Sequence, residues 1–519
     1  MPKLWVTITC AVGALITALL IGFPKSPVVI PPTNPHDAER LPHGTKKSVL
    51  IIGGGVAGLS AAFELAERGY DVTIREASSH LGGRIKTTQV EKLGRSFHVD
   101  TGHLGVFHNY HQFHDIQERL GVQHHFYPVD ATDIEFRDYQ REHIYTWEPW
   151  PLNIMGLIMR SPNLSILQSM YWIHAGFDFV NFDYTKVYQK FGHMNFDDYD
   201  KARNLHPPFA AIILRPALAM TFNDPKKFSA AEFLLYSHFF SISNPKANRK
   251  DMAVHNSQDA ILDAWVNKLK SLGVRIELNS QAEGLVLDSQ TNRVTAESSH
   301  PDEVYDHTII ATDIPGVKHI FQNTISSISP NTDIYKILTN ISDRTISKVT
   351  LAPPYKLLWV WFDKQLDDTN TPVMLQTPEF SPLSCITQLH LLQEEFIQWA
   401  NETGGSVFLF DLYVWNSGNI DDAKLWQFIS PIVNDIYPEI SDRKFKVLDF
   451  HVDTGTTHPA YLKDVEKYRP RATLANELGI PNLSFAGDWL HTDYPSVFME
   501  RAVFLLGEKQ PIRCCYQIM

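Results

Sequence analysis

Three glycines at a fixed spacing carry the first chemical signal. Gly53, Gly55 and Gly58 follow directly on the apolar, β-branched run Ser48 to Ile52 and fit the pattern GxGxxG. The first glycine permits a tight turn, the second lets the backbone approach a pyrophosphate, and the third lets a helix pack closely on a strand. Val56, Ala57 and Gly58 then open a helical pattern whose first N–H groups and positive dipole end point at the phosphates. Glu76, at the end of the apolar run from Tyr70 to Arg75, stands where a carboxylate accepts hydrogen bonds from ribose hydroxyls. It would repel a 2′-phosphate, so the implied dinucleotide is FAD or NAD rather than NADP.

Two further stretches favour FAD. Leu81 to Ile85 reads LGGRI and places Gly82, Gly83 and the Arg84 guanidinium just past the ribose-binding turn, where the cation can neutralise a pyrophosphate. Phe485 to Asp488 reads FAGD, so that Asp488 ends a strand and can bind a ribityl hydroxyl; a helix cap is its alternative role. A helix from Met499 would offer its N-terminus to the flavin N1 and O2 region, which becomes negative on reduction.

The elements that must position these residues are legible around them. Strand, glycine turn, a helix stopped by Gly69, and a second strand make one βαβ unit. An α/β rhythm resumes at Asp251, with a helix over Gln258 to Leu272, strands at Gly273 to Leu278 and Glu283 to Asp288, and TIIATD at Thr308 to Asp313. The run KLLWVWFD from Lys356 to Asp363 reads as a strand, as does the start of NLSFAGDW at Asn482 to Trp489. The fold class that accounts for this alternation is α/β: a discontinuous Rossmann-type FAD-binding domain over residues 47–93, 251–315 and 470–510, and an α+β substrate domain over 94–250 and 316–469.

Leu4 to Phe23 is a run of twenty residues without a charge, flanked by Lys3 and Lys25, which predicts an N-terminal transmembrane helix over residues 1–23. A cleaved signal peptide is the competing reading, but the run ends in Ile21-Gly22-Phe23-Pro24 rather than in a small-x-small site. Six prolines between Pro24 and Thr45 make residues 24–46 an extended linker. Residues 511–519 form a short tail, in which Tyr516 occupies the cysteine position of a prenylation signal; acylation of Cys514 or Cys515 stays open. With 46 basic against 58 acidic residues and a net charge of −12, no nucleic-acid partner is expected. Cys10, Cys385, Cys514 and Cys515 form neither a disulfide framework nor a metal spacing.

The sequence resembles the FAD-dependent carotenoid desaturase and flavin amine oxidase superfamily. The resemblance rests on IIGGGVAGLSAAFELAERGYDVTIREASSHLGGRI, TIIATD and LSFAGDW. Within it, the isorenieratene synthase-like carotene desaturases are most similar, through DTGHLGVFHNYHQFHDI, the run from Arg215 to Phe240, and YPSVFMERAV. The resemblance implies that Gly53, Gly55, Gly58, Glu76, Gly83, Arg84, Val286, Ala311, Gly487, Asp488 and Met499 line the FAD, with Gly102 and His103 near the isoalloxazine. It departs from the family at the closing helix, where Leu506 and Gly507 replace a small SG pair.

Other patterns have plainer readings. His108, His111 and His114 recur every three residues, but no carboxylate or cysteine completes a ligand set, so no metal is expected. Trp147, Trp150, Tyr171, Trp172, Phe177, Phe179 and Phe182 read as core before they read as a substrate tunnel. Pro208 to Phe222 reads as a buried helix, or as a membrane-dipping entrance. The expected activity is hydride transfer from a hydrophobic, carotenoid or isoprenoid-like substrate of the membrane to FAD, which calls for few protein acids or bases. An amine oxidase, a redox-neutral FAD isomerase and a non-catalytic membrane flavoprotein are the alternatives.

Overall fold

Val49 to Ile52 have almost no accessible surface, as an apolar strand with a parallel neighbour on each side requires. The computed structural model describes residues 40–504, apart from 150–151, 166–177, 180–181, 368–370, 414–419 and positions 103, 206, 220, 222, 456 and 493. In chain order its main elements are β1 (Ser48–Ile52), α1 (Val56–Glu67), β2 (Asp71–Arg75), α2 (His111–Leu120), α3 (Ala230–Ser241), α4 (Asp263–Ser271), β3 (Arg275–Glu277) and β4 (His307–Ile310). There follow β5 (Tyr355–Phe362), β6 (Leu383–Gln388), β7 (Ser406–Tyr413), β8 (Val447–Gly455), β9 (Leu483–Phe485) and α5 (Phe498–Phe504).

A five-stranded parallel sheet in the order β3-β2-β1-β4-β9 gathers segments from both ends and the middle of the chain. Because β1 is central, its alternate residues feed two cores. Val49 and Ile51 pack with α1, α2 and α4, whereas Leu50 and Ile52 pack with the helix Ile314–Ser327. At the sheet's edge the buried Arg75 guanidinium reaches Glu277 at 2.8 Å, Glu303 at 3.0 Å and Glu297 at 3.3 Å. Those bonds fasten a hairpin, Leu285–Asp288 with Arg293–Glu297, beside β2.

The second sheet has seven strands, running β8-β5-β7-β6 and then Met374–Gln376, Ala131–Ile134 and Glu142–Tyr145. All eight residues of β5 are buried, because both faces of this sheet are covered. Leu358, Val360 and Phe362 pack with Phe408, Phe410 and the helix Leu425–Ile436 on one side. Leu357, Trp359 and Trp361 pack with Phe97, Phe396 and Trp399 on the other. An unbroken apolar run such as KLLWVWF is the sequence trace of a strand buried on both faces.

The expected helix over Gln258 to Leu272 is present but opens as a wide π-type turn, Gln258–Leu262, before continuing as α4. The Pro208 to Phe222 run contains a similar turn, Ala210–Leu214, between short helical pieces, and Ala211, Ile212, Leu214 and Leu218 are buried. Trp147 departs from the core reading, being 53% exposed, whereas Phe179 is buried and Phe182 stacks on His238 at 4.4 Å. Trp150, Tyr171, Trp172 and Phe177 lie outside the described residues, as do the anchor over 1–23, most of the linker and the tail. Among the described residues no helix is long and apolar enough to cross a membrane, and no group of three or more His, Cys, Asp or Glu could hold a metal ion.

Trp265 of α4 is fully buried edge-on against Phe113 of α2, and its indole N–H has no hydrogen-bond partner. Trp265→Ala is expected to destabilise the fold by ~3–5 kcal/mol through the cavity it leaves. Trp265→Phe removes the unsatisfied N–H together with only part of the volume, and should cost under about 1.5 kcal/mol. Chemical denaturation of the two variants side by side checks the difference.

Candidate cofactor and active site

The glycine turn is a place where side chains do not fit. A Cβ on Gly58 would lie 1.9 Å from the Gly53 carbonyl oxygen, and one on Gly53 would lie 2.7 Å from the Ala311 oxygen. The third and first glycines are therefore explained by the crossing of α1 over β1 and β4. Gly55 is different: its φ of −76° suits any residue, and a Cβ there would meet only the Gly83 Cα, at 3.9 Å. It borders open space. Gly55 also caps α1 without a side-chain hydrogen bond, and no acid occupies the first turn, so the N–H groups around Val56 and Ala57 face that space.

Glu76 closes the cradle on one side. Its carboxylate accepts from the Gly54 N–H at 2.7 Å and from the Ser78 N–H at 2.9 Å. Gly82, at φ +106°, donates its N–H to the Gly54 carbonyl at 2.9 Å, and Gly83, at φ +58°, follows it past Gly55. Ala311 donates to the Ile52 carbonyl at 2.8 Å. Gly53, Gly55, Gly58, Glu76, Gly82, Gly83 and Ala311 are thus brought together around one turn.

Arg84 and Asp488, assigned from sequence to different parts of a dinucleotide, are bonded to each other at 2.8 Å. Arg84 also donates to His458 Nδ1 at 3.1 Å, and burial together with the nearby guanidinium holds that imidazole far below its ordinary range, in the neutral form that accepts. Asp488 stands well ahead of α5, so it is an ion-pair partner and not that helix's cap. Gly487, at φ +140°, sets the turn before it. The His458 ring lies 5.3 Å from that of Tyr355, whose hydroxyl donates to the Thr101 carbonyl at 3.2 Å. Beside it Gly102, at φ +145°, has nothing within 4 Å of where a Cβ would stand, while His103 lies outside the described residues.

Val286 sits apart from this convergence, with its side chain exposed on the outer hairpin. The backbone after β3 is what reaches the Glu76 turn: the Asn279 N–H donates to the Ser78 carbonyl and the Ser280 N–H to the Glu76 carbonyl, both at 2.9 Å. These contacts are made by main chain, so no side-chain pattern announces them.

At the other end, Phe498 has a left-handed φ of +48° and turns the chain into α5, where Met499 is half-buried against the main core. Glu500 and Arg501 follow and were not singled out from sequence. The Glu500 carboxylate accepts from the Gln112 N–H at 2.9 Å and the Phe113 N–H at 3.2 Å, at the N-terminus of α2. Arg501 donates to Glu232 of α3 at 3.1 Å, and Arg469 reaches the same carboxylate at 3.0 Å. Arg469 continues to Glu466 at 2.9 Å and to the Asp488 carbonyl at 2.8 Å, and the Tyr461 hydroxyl donates to that carbonyl at 3.2 Å. Charged residues inside apolar runs, Glu232 in AAEFLLY and Arg501 in MERAVF, were the available signal.

These residues fit FAD. An open cradle at Gly55 faces an unfilled helix start, an acid stands at the ribose end, and an Arg84–Asp488 pair lies beside His458 and Tyr355. When bound there, the flavin supplies a two-electron acceptor; the chain supplies orientation, a water-poor surround and fixed charge.

Gly55→Ala should lower FAD affinity by about tenfold with little loss of stability, because the methyl fills the cradle and not the protein. Gly58→Ala should instead unfold the turn, costing ~2–3 kcal/mol despite alanine's better helix propensity. Fluorescence titration with FAD and denaturation of the apoprotein separate the two. Burial pushes the Glu500 carboxyl up from 4.5 to about 8. Its neutral form is therefore favoured on folding, and its contribution to stability is full below about pH 4.5 and is lost as pH rises through about 8. Glu500→Gln should flatten the fall in melting temperature across that window.

Residues 56–504 match the model of the flavin containing amine oxidoreductase family. A carotenoid phi-ring synthase of Chlorobaculum tepidum is 30% identical over 295 residues, covering 55% of this chain and 45% of that protein. One of Streptomyces griseus is 24% identical over 483 residues, covering 88% of this chain and 86% of that protein. Among solved structures, the cyclohexylamine oxidase of Brevibacterium oxydans superposes with a TM-score of 0.60 at 13% identity, covering 88% of this chain and 96% of that one, a likeness of fold. With the glycine turn, Glu76 and the FAGD strand in place, the family match over most of the chain makes this protein a member of the flavin containing amine oxidoreductase family, an oxidoreductase class whose cofactor is FAD.

Proposed function

We propose that this chain dehydrogenates a lipophilic polyene or isoprenoid substrate, in the manner of a desaturase, on a discontinuous Rossmann-type FAD domain joined to a substrate domain. The observation that carries the reading is the similarity to a carotenoid phi-ring synthase across 88% of the chain, which spans both sheets. The character of the second sheet supports it. Leu357, Trp359, Trp361 and Leu409 make the interior of this sheet face apolar, and Tyr355 ends it beside His458 and Thr101. An uncharged run from Leu4 to Phe23 supports a membrane tether that holds the catalytic body beside the bilayer where such a substrate dissolves.

On this reading the protein's task is mostly placement. Arg84, Asp488 and the Gly102 turn hold the reactive ring end, and the buried surround keeps water out. The purified protein in detergent should be yellow. Under anaerobic conditions its oxidised-flavin absorption should bleach on mixing with carotenes in micelles and stay unchanged with a series of primary amines. Bleaching by amines and not by isoprenoids would favour the amine oxidase alternative and overturn the proposal.

A further inference from the structure

One polar cluster interrupts the apolar face of the second sheet. On β5 and β7 the residues turned to this side run, from one end, Trp361, Trp359, Leu357, Tyr355 and Val407, Leu409, Asp411, Tyr413. Phe97, Phe396 and Trp399 cover the tryptophan end. At the other end Tyr355 touches Thr101 and His458, and so adjoins Arg84 and Asp488. Asp411 lies between these ends, opposite Leu357 on β5 and opposite Cys385 on β6, one pleat or about 7 Å from the Tyr355–Tyr413 pair. Lys250, from the short strand Lys250–Ala253, is buried behind Cys385 with its amine 3.9 Å from the Met374 sulfur.

The residual surface of these residues points to an internal space. β6 and β7 are interior strands of a sheet covered on both faces, and Leu383, Ile386, Leu409, Phe410, Leu412 and Tyr413 are all buried. Asp411 and Cys385, side by side, nevertheless retain accessible surface. We take that surface, to which Asp411 Oδ1 itself contributes almost nothing, to border a space inside the molecule, one pleat from Tyr355.

We propose that Asp411 is the proton acceptor of the reaction, presented to the substrate with Cys385 and backed by Lys250. The assignment rests on the dehydrogenation reading above. Converting a C–C to a C=C bond removes two electrons and two hydrogens. One hydrogen leaves with its electron pair, as hydride, to the family's flavin, the oxidant. The other leaves the neighbouring carbon as a proton, whose former C–H pair becomes the new π bond. In an apolar cavity that proton needs a base, and the Asp411 carboxylate takes it and becomes a neutral acid. The titratable groups around Asp411 include the Cys385 thiol and the Tyr413 and Tyr355 hydroxyls, with the Lys250 amine behind Cys385. Burial pushes the thiol and both hydroxyls up, so none of them competes as an anion near neutral pH. Burial brings the Lys250 amine down and pushes the Asp411 carboxyl up to about 7, which suits an acid that must gain and then release a proton.

Two experiments test this. The first uses a variant with Cys10, Cys514 and Cys515 changed to serine, leaving Cys385 as its one thiol. In the folded, FAD-free protein a small methanethiosulfonate reagent should label Cys385, and carotene in micelles should protect it. Absence of labelling before denaturation, or labelling that carotene leaves unchanged, overturns the cavity. The second compares wild type with Asp411→Asn in anaerobic flavin reduction by whichever substrate reduces the wild type. The variant should keep its flavin spectrum and its reduction by dithionite, and lose substrate-driven reduction by on the order of 100-fold or more. It should also lose the rise in rate through about pH 7 expected of the wild type. Unchanged substrate reduction in Asp411→Asn overturns the assignment. A wild type reduced by amines and not by polyenes instead overturns the substrate reading, and the two failures are distinct.

Discussion

A single carboxylate, that of Glu232, ties its helix to two segments that lie more than two hundred residues further along the chain. It lies on a helix that is otherwise apolar, has almost no accessible surface, and is shared by Arg469 and Arg501. Three buried charges are stable only as a set, since breaking such a pair leaves an uncompensated ion and costs ~3–5 kcal/mol. The set also fixes direction. Arg501 carries α5 and hence Met499; Arg469 carries the Asp488 carbonyl, and Asp488 carries Arg84. The two guanidinium groups flank the Tyr461 ring at 5.1 and 4.9 Å, so the network has a rigid aromatic spacer. The position of the Arg84–Asp488 pair therefore depends on an ion cluster that contains none of the residues in the glycine motif.

The two ends of the cofactor site are held by different physics. At the nucleotide end the constraint is exclusion: backbone approaches backbone so closely at Gly53 and Gly58 that a methyl group does not fit. At the ring end the constraint is charge pairing among buried side chains. Exclusion tolerates no substitution but leaves a compact signature, whereas pairing allows many arrangements and spreads its members over the chain.

That difference explains what could be read in the sequence. The βαβ unit, Glu76 and the FAGD strand were legible because local spacing dictates their geometry. β5 was legible from an unbroken apolar run. The helix after Ser257 was visible by period, but its wide first turn was not, since one additional residue leaves the pattern of apolar positions almost intact. The strand around Val286 was legible, but strand register alone does not say whether an edge hairpin or the main sheet receives it. The Asn279 and Ser280 contacts are made by main chain, and Glu232, Arg469 and Arg501 meet only through tertiary folding.

The wide turn at Gln258–Leu262 has a further consequence. It advances the helix by a residue without lengthening it by a full α-helical step, so everything downstream is rotated about the helix axis relative to a regular spiral. Leu262 thereby comes against Gly82, where a Cβ would stand 2.8 Å from its methyl group, and Trp265 and Leu269 face inward. The phase of a distant helix is thus geared to the Gly82 loop: loss of one residue at this point would turn an apolar wheel away from its hub while leaving every signature of the nucleotide fold in the text of the chain.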